Sequence, residues 1–166
     1  MKRTFEGNAL NFLRYSSVMS NAHYDMAERY RIRHRVFGLA VVIATAVVGT
    51  ATFGSLAENT QTGEVWIKVG TGLLSVVATV LAALQTFLGF SELQAQHKRG
   101  ADGYSDLRRE IDLLLMKYPD VVGVPSEPAI AALDAVRKKL DDLDKMSPTI
   151  PDAIYEAASA KTPVYD

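Results

Sequence analysis

The side chains most often used in catalysis are scattered along this sequence. His23, His34 and His97 lie in separate polar contexts, and no HExxH motif, glycine-rich phosphate loop, nucleophile elbow or clustered carboxylate pair is present. The sequence contains no cysteine, which removes cysteine-based metal, nucleophile and disulfide chemistry. We therefore expect no catalytic residue, no metal site and no cofactor, and the sequence favours a protein that is not an enzyme.

One group of carboxylates, at 141–144, is dense enough to be weighed as a cation site. It comprises Asp141, Asp142 and Asp144, and basic residues at 137–139 and 145 surround it. Mixed charges of this kind are typical of a solvated helix face, and this interpretation is favoured over a metal site.

The polar residue in the least expected place is Gln85. It lies in the apolar run SVVATVLAALQTFLGFSE at 75–92, where charge returns only at Glu92. In lipid an amide without a partner is costly because no water is available to hydrogen-bond it. Gln85 therefore needs a partner from protein or from a water-filled space.

Two long windows of the sequence carry no charge, although the whole chain is 22% charged with a net charge of -1. They are 36–57 and 69–91, and at about 1.5 Å per helical residue each spans roughly 33 Å, enough for a bilayer core of about 30 Å. The sequence predicts an all-α membrane protein with a transmembrane helical hairpin. Its parts are an N-terminal cytosolic segment at 1–35, spans at 36–57 and 69–91, an outer loop at 58–68 and a cytosolic helical region at 92–166.

Positive charge flanks both windows on the side away from the loop. The flanking basic residues are Arg29, Arg31, Arg33, Arg35, Lys98 and Arg99. By the positive-inside rule this distribution predicts that both termini are cytoplasmic. We interpret these residues as an anchor for anionic lipid, in preference to a nucleotide phosphate site.

Helices are also expected outside the windows. Ser20 or Asn21 is a plausible N-cap for the first helix, and the second span is predicted to continue into a long cytosolic helix. Apolar residues at three- and four-residue spacing in 104–118 and 130–143 predict an antiparallel helical pair, within one chain or between chains. The second helix of this pair is expected to start near Ser126, with Pro128 in its first turn. A short helix, DAIYEAASA, is expected to pack Ile154 and Tyr155 onto this pair. Gly100 and Gly103 are read as ordinary helical glycines rather than a hinge.

Small residues recur along the second span at three- and four-residue steps. This small-residue seam consists of Gly72, Ser75, Thr79, Ala82, Thr86 and Gly89, with Gln85 beside it. Small residues let helices approach closely in lipid. The seam therefore either packs helices together, with Gln85 hydrogen-bonded across the contact, or partly lines a pore. A pore requires several copies, because two helices cannot enclose a channel.

The order of these features resembles the SLATT family of two-transmembrane effectors. The segments that carry the resemblance are AHYDMAERYRIRHRVFG, LAALQTFLGF with the polar stretch after it, and PTIPDAIYEAA, covering roughly residues 15–160. The resemblance implies an effector of bacterial nucleotide-signalled antiviral defence that oligomerises in the inner membrane and permeabilises it. It also implies a nucleotide-sensing or nucleotide-synthesising partner protein, and we expect no nucleic acid partner. The alternative is a passive membrane scaffold that docks a soluble signalling partner through its cytosolic helices.

Overall fold

The structure, a computed structural model, describes residues 5–57, 64–118 and 125–164, and in these ranges it contains α-helices and no strands. The helices are α1 (Phe5–Ala57), α2 (Glu64–Phe87), α3 (Phe90–Lys117), α4 (Glu127–Met146) and α5 (Asp152–Lys161). The predicted all-α fold class is confirmed. Most of the predicted outer loop, 58–63, lies outside the described residues, and α2 begins within the remainder of that stretch.

The distribution of proline explains why the first helices are long and the last two are short. All six prolines follow residue 118, so none interrupts the 53 residues of α1. Pro128 lies in the first turn of α4, two residues after the extended N-cap Ser126, as the sequence predicted. Pro148 and Pro151 then separate α4 from α5, since proline cannot continue the hydrogen-bonded ladder of a helix.

The predicted start of the first helix is wrong. α1 already includes Phe5, so Ser20 and Asn21 lie inside the helix instead of capping it. The Ser20 hydroxyl donates a hydrogen bond of 3.0 Å to the backbone carbonyl of Ala101, and the Asn21 amide donates one of 3.3 Å to the Thr162 hydroxyl. Both side chains therefore join α1 to other parts of the fold, a role that local capping patterns do not distinguish.

The second charge-free window does not continue unbroken into the next helix, contrary to the prediction from the sequence. α2 ends at Phe87 and α3 begins at Phe90, with Gly89 between them at a φ of 55°. Only glycine enters this left-handed region without steric cost, and the residue is therefore a natural helix terminator. The break separates the apolar α2 from the polar α3.

The chain forms two compact units whose boundaries fall inside helices. The first unit, here called the bundle, contains the chain up to Glu28 and from Gln94 onward. The second, here called the apolar unit, is the intervening segment Arg29–Leu93.

The bundle is built on antiparallel helix contacts around one core. Along α1 and α3, Phe5 meets Tyr118 while His23 meets His97, so the two helices run in opposite directions. The predicted pairing of 104–118 with 130–143 is confirmed within one chain, although Ile130 at its edge is half exposed. α1 supplies a third side of this core, which the spacing of apolar residues did not predict. The buried members of the core are Phe5, Ala9, Leu13, Tyr104, Leu107, Ile111, Leu114, Ala129, Val136 and Leu140.

α5 packs against the part of α1 that belongs to the bundle, near the middle of that part. Ile154 and Ala158 are buried, as expected for Ile154, whereas Tyr155 is 38% exposed and is not a core residue. The Arg14 guanidinium donates a hydrogen bond of 3.2 Å to the Ser159 hydroxyl, which adds a polar contact between α1 and α5.

The two glycines of α3 permit close packing within a continuous helix. A Cβ added to Gly100 would lie 3.1 Å from the Ser147 hydroxyl oxygen and 3.3 Å from the His23 ring. A Cβ added to Gly103 would lie 2.7 Å from a methyl carbon of Leu143. These positions are not a hinge, but close packing constrains them more than the ordinary helical glycines predicted from the sequence.

Candidate functional site

The apolar unit exposes large aliphatic side chains along both of its helices. Only 6% of the most apolar 18-residue window of the first helix is buried, and its mean hydropathy is 1.6. Within the described residues this one helix is long and apolar enough to cross a membrane, while the apolar part of α2 described there, Val69–Leu84, is shorter. A core helix of a soluble protein would be covered by other elements, so the exposed surface is compatible with lipid as its environment. The most exposed aliphatic residues are Val36, Leu39, Val42, Ile43, Val69, Leu73 and Val76.

The small-residue seam lies on an open side of α2. Gly72, Ser75, Thr79 and Thr86 are exposed, and Ala82 and Gly89 are half-buried. A Cβ added to Gly72 or Gly89 would meet no neighbouring atom within 4 Å. The seam therefore has room for a further helix in the structure of a single chain.

The hydroxyls of the seam are satisfied by the helix that carries them. The Thr79 hydroxyl donates to the Ser75 carbonyl at 2.9 Å, and the Thr86 hydroxyl donates to the Ala82 carbonyl at 3.1 Å. These bonds allow each hydroxyl to face lipid or another helix without losing its hydrogen bond. The Gln85 side chain, which is predicted to need a polar partner, lies outside the described part of the structure.

The basic residues predicted to anchor the protein are mainly solvent-facing. In the apolar unit Arg29, Arg33 and Arg35 are exposed and Arg31 is half-buried, and the Arg33 guanidinium lies 5.6 Å from the centre of the Tyr30 ring. In the bundle Lys98 and Arg99 are exposed on α3. Exposed guanidinium and ammonium groups are suited to anionic headgroups.

A second feature, in the bundle, is a pair of buried histidines that no sequence pattern indicated. The Nδ1 atoms of His23 on α1 and His97 on α3 are 2.9 Å apart, at hydrogen-bond distance. The two side chains are 0% and 2% exposed. The His23 ring also stacks on Tyr104, with 5.5 Å between ring centres and 15° between ring planes. We call His23, His97 and Tyr104 the buried ring cluster.

Burial decides the protonation of this cluster. It lowers the pKa of His23 to about 4, with a smaller contribution from the neighbouring His97, and it also lowers the pKa of His97. Burial, followed by a hydrogen bond to Asp144, raises the pKa of the Tyr104 phenol. All three rings are therefore uncharged at neutral pH.

A carboxylate of α4 completes the polar contacts next to the cluster. Asp144 Oδ1 accepts hydrogen bonds from the hydroxyls of Tyr104 at 2.5 Å and Tyr15 at 3.1 Å. Asp144 therefore joins α1, α3 and α4, which its assignment to a solvated acidic face did not anticipate. Burial and this carboxylate raise the pKa of Tyr15 to about 12.

The cluster does not resemble a metal centre. Among the described residues, no three histidine, aspartate or glutamate side chains lie close enough together to hold a metal ion. The two imidazoles are already at hydrogen-bond distance from each other, and a structural zinc ion requires about four ligands. The sequence could not have revealed the pair, because 74 positions separate two histidines that carry no common motif.

Taken together, these features define an all-helical protein in which one helix is suited to crossing a membrane and a helical bundle has a buried polar centre. The chain belongs to the family described as protein of unknown function (DUF4231), whose model matches residues 19–101, half of the chain. The matched region contains both buried histidines and the whole apolar unit. No curated protein and no solved structure matches the chain.

Proposed function

We propose that this protein is a membrane effector of a bacterial nucleotide-signalled antiviral defence system, which oligomerises and permeabilises the inner membrane when activated. In this proposal the segments 36–57 and 69–91 form a transmembrane hairpin with both termini in the cytoplasm. The protein acts by assembly in the bilayer and performs no catalysis.

The main support for the hairpin is that residues before and after the apolar unit in the sequence contact each other in the bundle. Ser20 hydrogen-bonds to Ala101, and His23 to His97. A chain that crossed the membrane once between residues 29 and 93 would leave these partners on opposite sides. Two crossings return the chain to the side from which it started, and the positive charge that flanks both windows supports the cytoplasmic side.

The open seam on α2 supports assembly from several copies. In lipid, helix association depends on close packing and on hydrogen bonds between helices, and small residues favour both. Because the seam is accessible in a single chain, a second copy could cover it. A ring of hairpins joined along the seam would supply the enclosure that two helices alone cannot provide.

The defence role is supported by the resemblance to SLATT effectors. Membership of the DUF4231 family is compatible with that resemblance, and the family description itself names no function. The partner expected in the cell is a protein that senses or synthesises the nucleotide signal. The exposed surface of the cytosolic bundle is available to such a partner.

A test of the proposal is controlled overproduction in bacteria, because raising the concentration drives assembly by mass action even without the natural signal. We expect entry of a membrane-impermeant dye to rise with the level of the protein. Ala82→Leu on the seam should lower dye entry several-fold, since a bulky side chain keeps backbones apart. Ala83→Leu, the same change one position further and on an exposed side chain, is the matched control and should behave as the wild type.

Crosslinking in the same membranes separates the alternatives. Loss of both oligomer and dye entry in Ala82→Leu supports permeabilisation through the seam. An oligomer that forms while cells stay impermeant at every level would favour the passive scaffold. Equal effects of the two leucine variants would show that the protein does not assemble through the seam.

A further inference from the structure

We propose that His23 and His97 form an acid-sensitive lock, which holds α1 against α3 when both imidazoles are neutral and releases α1 when they are protonated. The proposal rests on the geometry of the bundle and does not depend on the function proposed above.

The hydrogen bond itself requires that at least one of the two rings is neutral. At an Nδ1···Nδ1 distance of 2.9 Å, one nitrogen must donate a proton and the other must accept it. If both rings were protonated, both nitrogens would carry hydrogen and no acceptor would remain. Two positive charges would also face each other at this distance in a site excluded from water.

The second nitrogen of His23 makes protonation still less favourable. His23 Nε2 is buried and has no hydrogen-bond partner. A protonated ring carries a hydrogen on each nitrogen, so it would place an unsatisfied N–H and a positive charge in the same enclosed position. Opening the contact to water satisfies both groups.

The neighbouring groups hold the His23 ring in place. Tyr104 stacks on one face, and the backbone of Gly100 comes so close that an added Cβ would lie 3.3 Å from the ring. Because the packed bundle holds the ring away from solvent, a proton above about pH 4 is accommodated only when α1 separates from α3.

Other titratable groups surround the pair from the helices packed against it, and they do not neutralise a charge on His23. Asp144 of α4 is occupied by the hydroxyls of Tyr104 and Tyr15. On the exposed side, Asp102 of α3 accepts a hydrogen bond of 2.6 Å from Tyr24, which follows His23 on α1. The exposed Lys98 and Arg99 of α3, next to His97, add positive charge.

The direction of the pH effect follows from the lowered pKa of His23. The folded bundle keeps this ring neutral to about pH 4, whereas the unfolded chain takes up the proton near pH 6.5. Well above pH 6.5, from about pH 7.5 upwards, both states are neutral and the lock is at full strength. As the pH falls from 6.5 towards 4, the open state binds more protons, so the closed state loses about tenfold in its equilibrium with the open state per pH unit for one histidine.

The experiment is hydrogen exchange of the full-length protein in detergent micelles, read at the amides of residues 20–27 and corrected for intrinsic exchange rates. Between pH 6.5 and 5.0, above the range in which most carboxylates titrate, protection should fall about 15-fold for one histidine, and between pH 7.5 and 6.5 it should change by less than about twofold. The double variant His23→Phe/His97→Asn keeps an aromatic ring against Tyr104 and a polar group near the position of the His97 Nδ1 atom. Its protection should change less than about threefold over the same range.

His34→Asn, which removes the third histidine of the chain, is the control and should retain the full loss of protection. A loss of protection in the double variant equal to that of the wild type would overturn the proposal, and so would constant protection in the wild type. If the double variant does not fold, the imidazole titration of wild-type His23 by nuclear magnetic resonance decides. A His23 ring still neutral at pH 5 supports the lock, and one that titrates near pH 6.5 overturns it.

Discussion

The bundle and the apolar unit use the same helical backbone and similar aliphatic residues, but they place those residues in opposite ways. In the bundle, Ile111 and Tyr104 are completely buried. In the apolar unit Leu73 is 66% exposed, while small residues such as Ala44 and Ala78 are buried. Burial of large side chains from water stabilises the first arrangement, whereas the second leaves them available to lipid.

The side-chain hydrogen bonds of the two regions also differ. In the bundle, polar side chains join separate helices, as the bonds from Ser20 to Ala101 and from Tyr104 to Asp144 illustrate. In the apolar unit, the hydroxyls of Thr45 and Thr79 bond to carbonyls of their own helices. Local satisfaction of this kind is what a lipid environment requires, because lipid offers no donor or acceptor.

The largest predicted effect comes from placing a charge on an exposed leucine of the apolar unit. Leu73→Arg in α2 should oppose insertion of the second predicted span by at most about 3–4 kcal/mol, the difference between leucine and arginine at the bilayer centre. A C-terminal alkaline phosphatase fusion, active only outside the cytoplasm, should be inactive in the wild type and gain activity in this variant.

The matched control is Leu113→Arg in the bundle, where the wild-type leucine is 63% exposed. The two leucines have nearly equal exposure, so a difference between the variants isolates the environment of the side chain. We expect Leu113→Arg to leave the fusion inactive. If Leu73→Arg were also silent, α2 would not be the second crossing.

The next effect concerns the core of the bundle. Ile111→Ala should lower the free energy of unfolding by about 3 kcal/mol, because it removes buried methyl groups and leaves a cavity. Ile130→Ala is the control and should cost less than about 1 kcal/mol, since the Ile130 side chain is 49% exposed. Hydrogen exchange of α3 and α4 amides measures both values, and equal losses would contradict the assignment of Ile111 to the core.

The smallest effect concerns the hydroxyls bonded to carboxylates. Tyr104→Phe should lower the free energy of unfolding by about 1–2 kcal/mol, because its hydrogen bond to Asp144 lies in a partly buried site. Tyr24→Phe removes a similar bond to Asp102 on the exposed surface and should cost about 0.5 kcal/mol or less. The same exchange measurement compares them, and a larger loss for Tyr24→Phe would show that burial does not control these bonds.

Local patterns predicted most of the helices because periodicity and proline placement act over short distances. The spacing of 104–118 and 130–143 correctly indicated a helical pair, and Pro128 correctly indicated the start of α4. The break at Gly89 was missed, because a glycine in an apolar run is compatible with both a continuous helix and a terminator. The role of Asp144 was missed because mixed charge on a helix is usually solvated.

What the sequence by itself determined is the all-helical class and the two charge-free windows, since both depend on composition and on spacing along one segment. Only the tertiary structure decided which distant residues meet. It placed the N-terminal part of α1 in the core with α3 and α4, and it brought His23 and His97 to hydrogen-bond distance. The physical reason is that such contacts depend on the relative position and rotation of packed helices, which residue spacing within either helix does not specify.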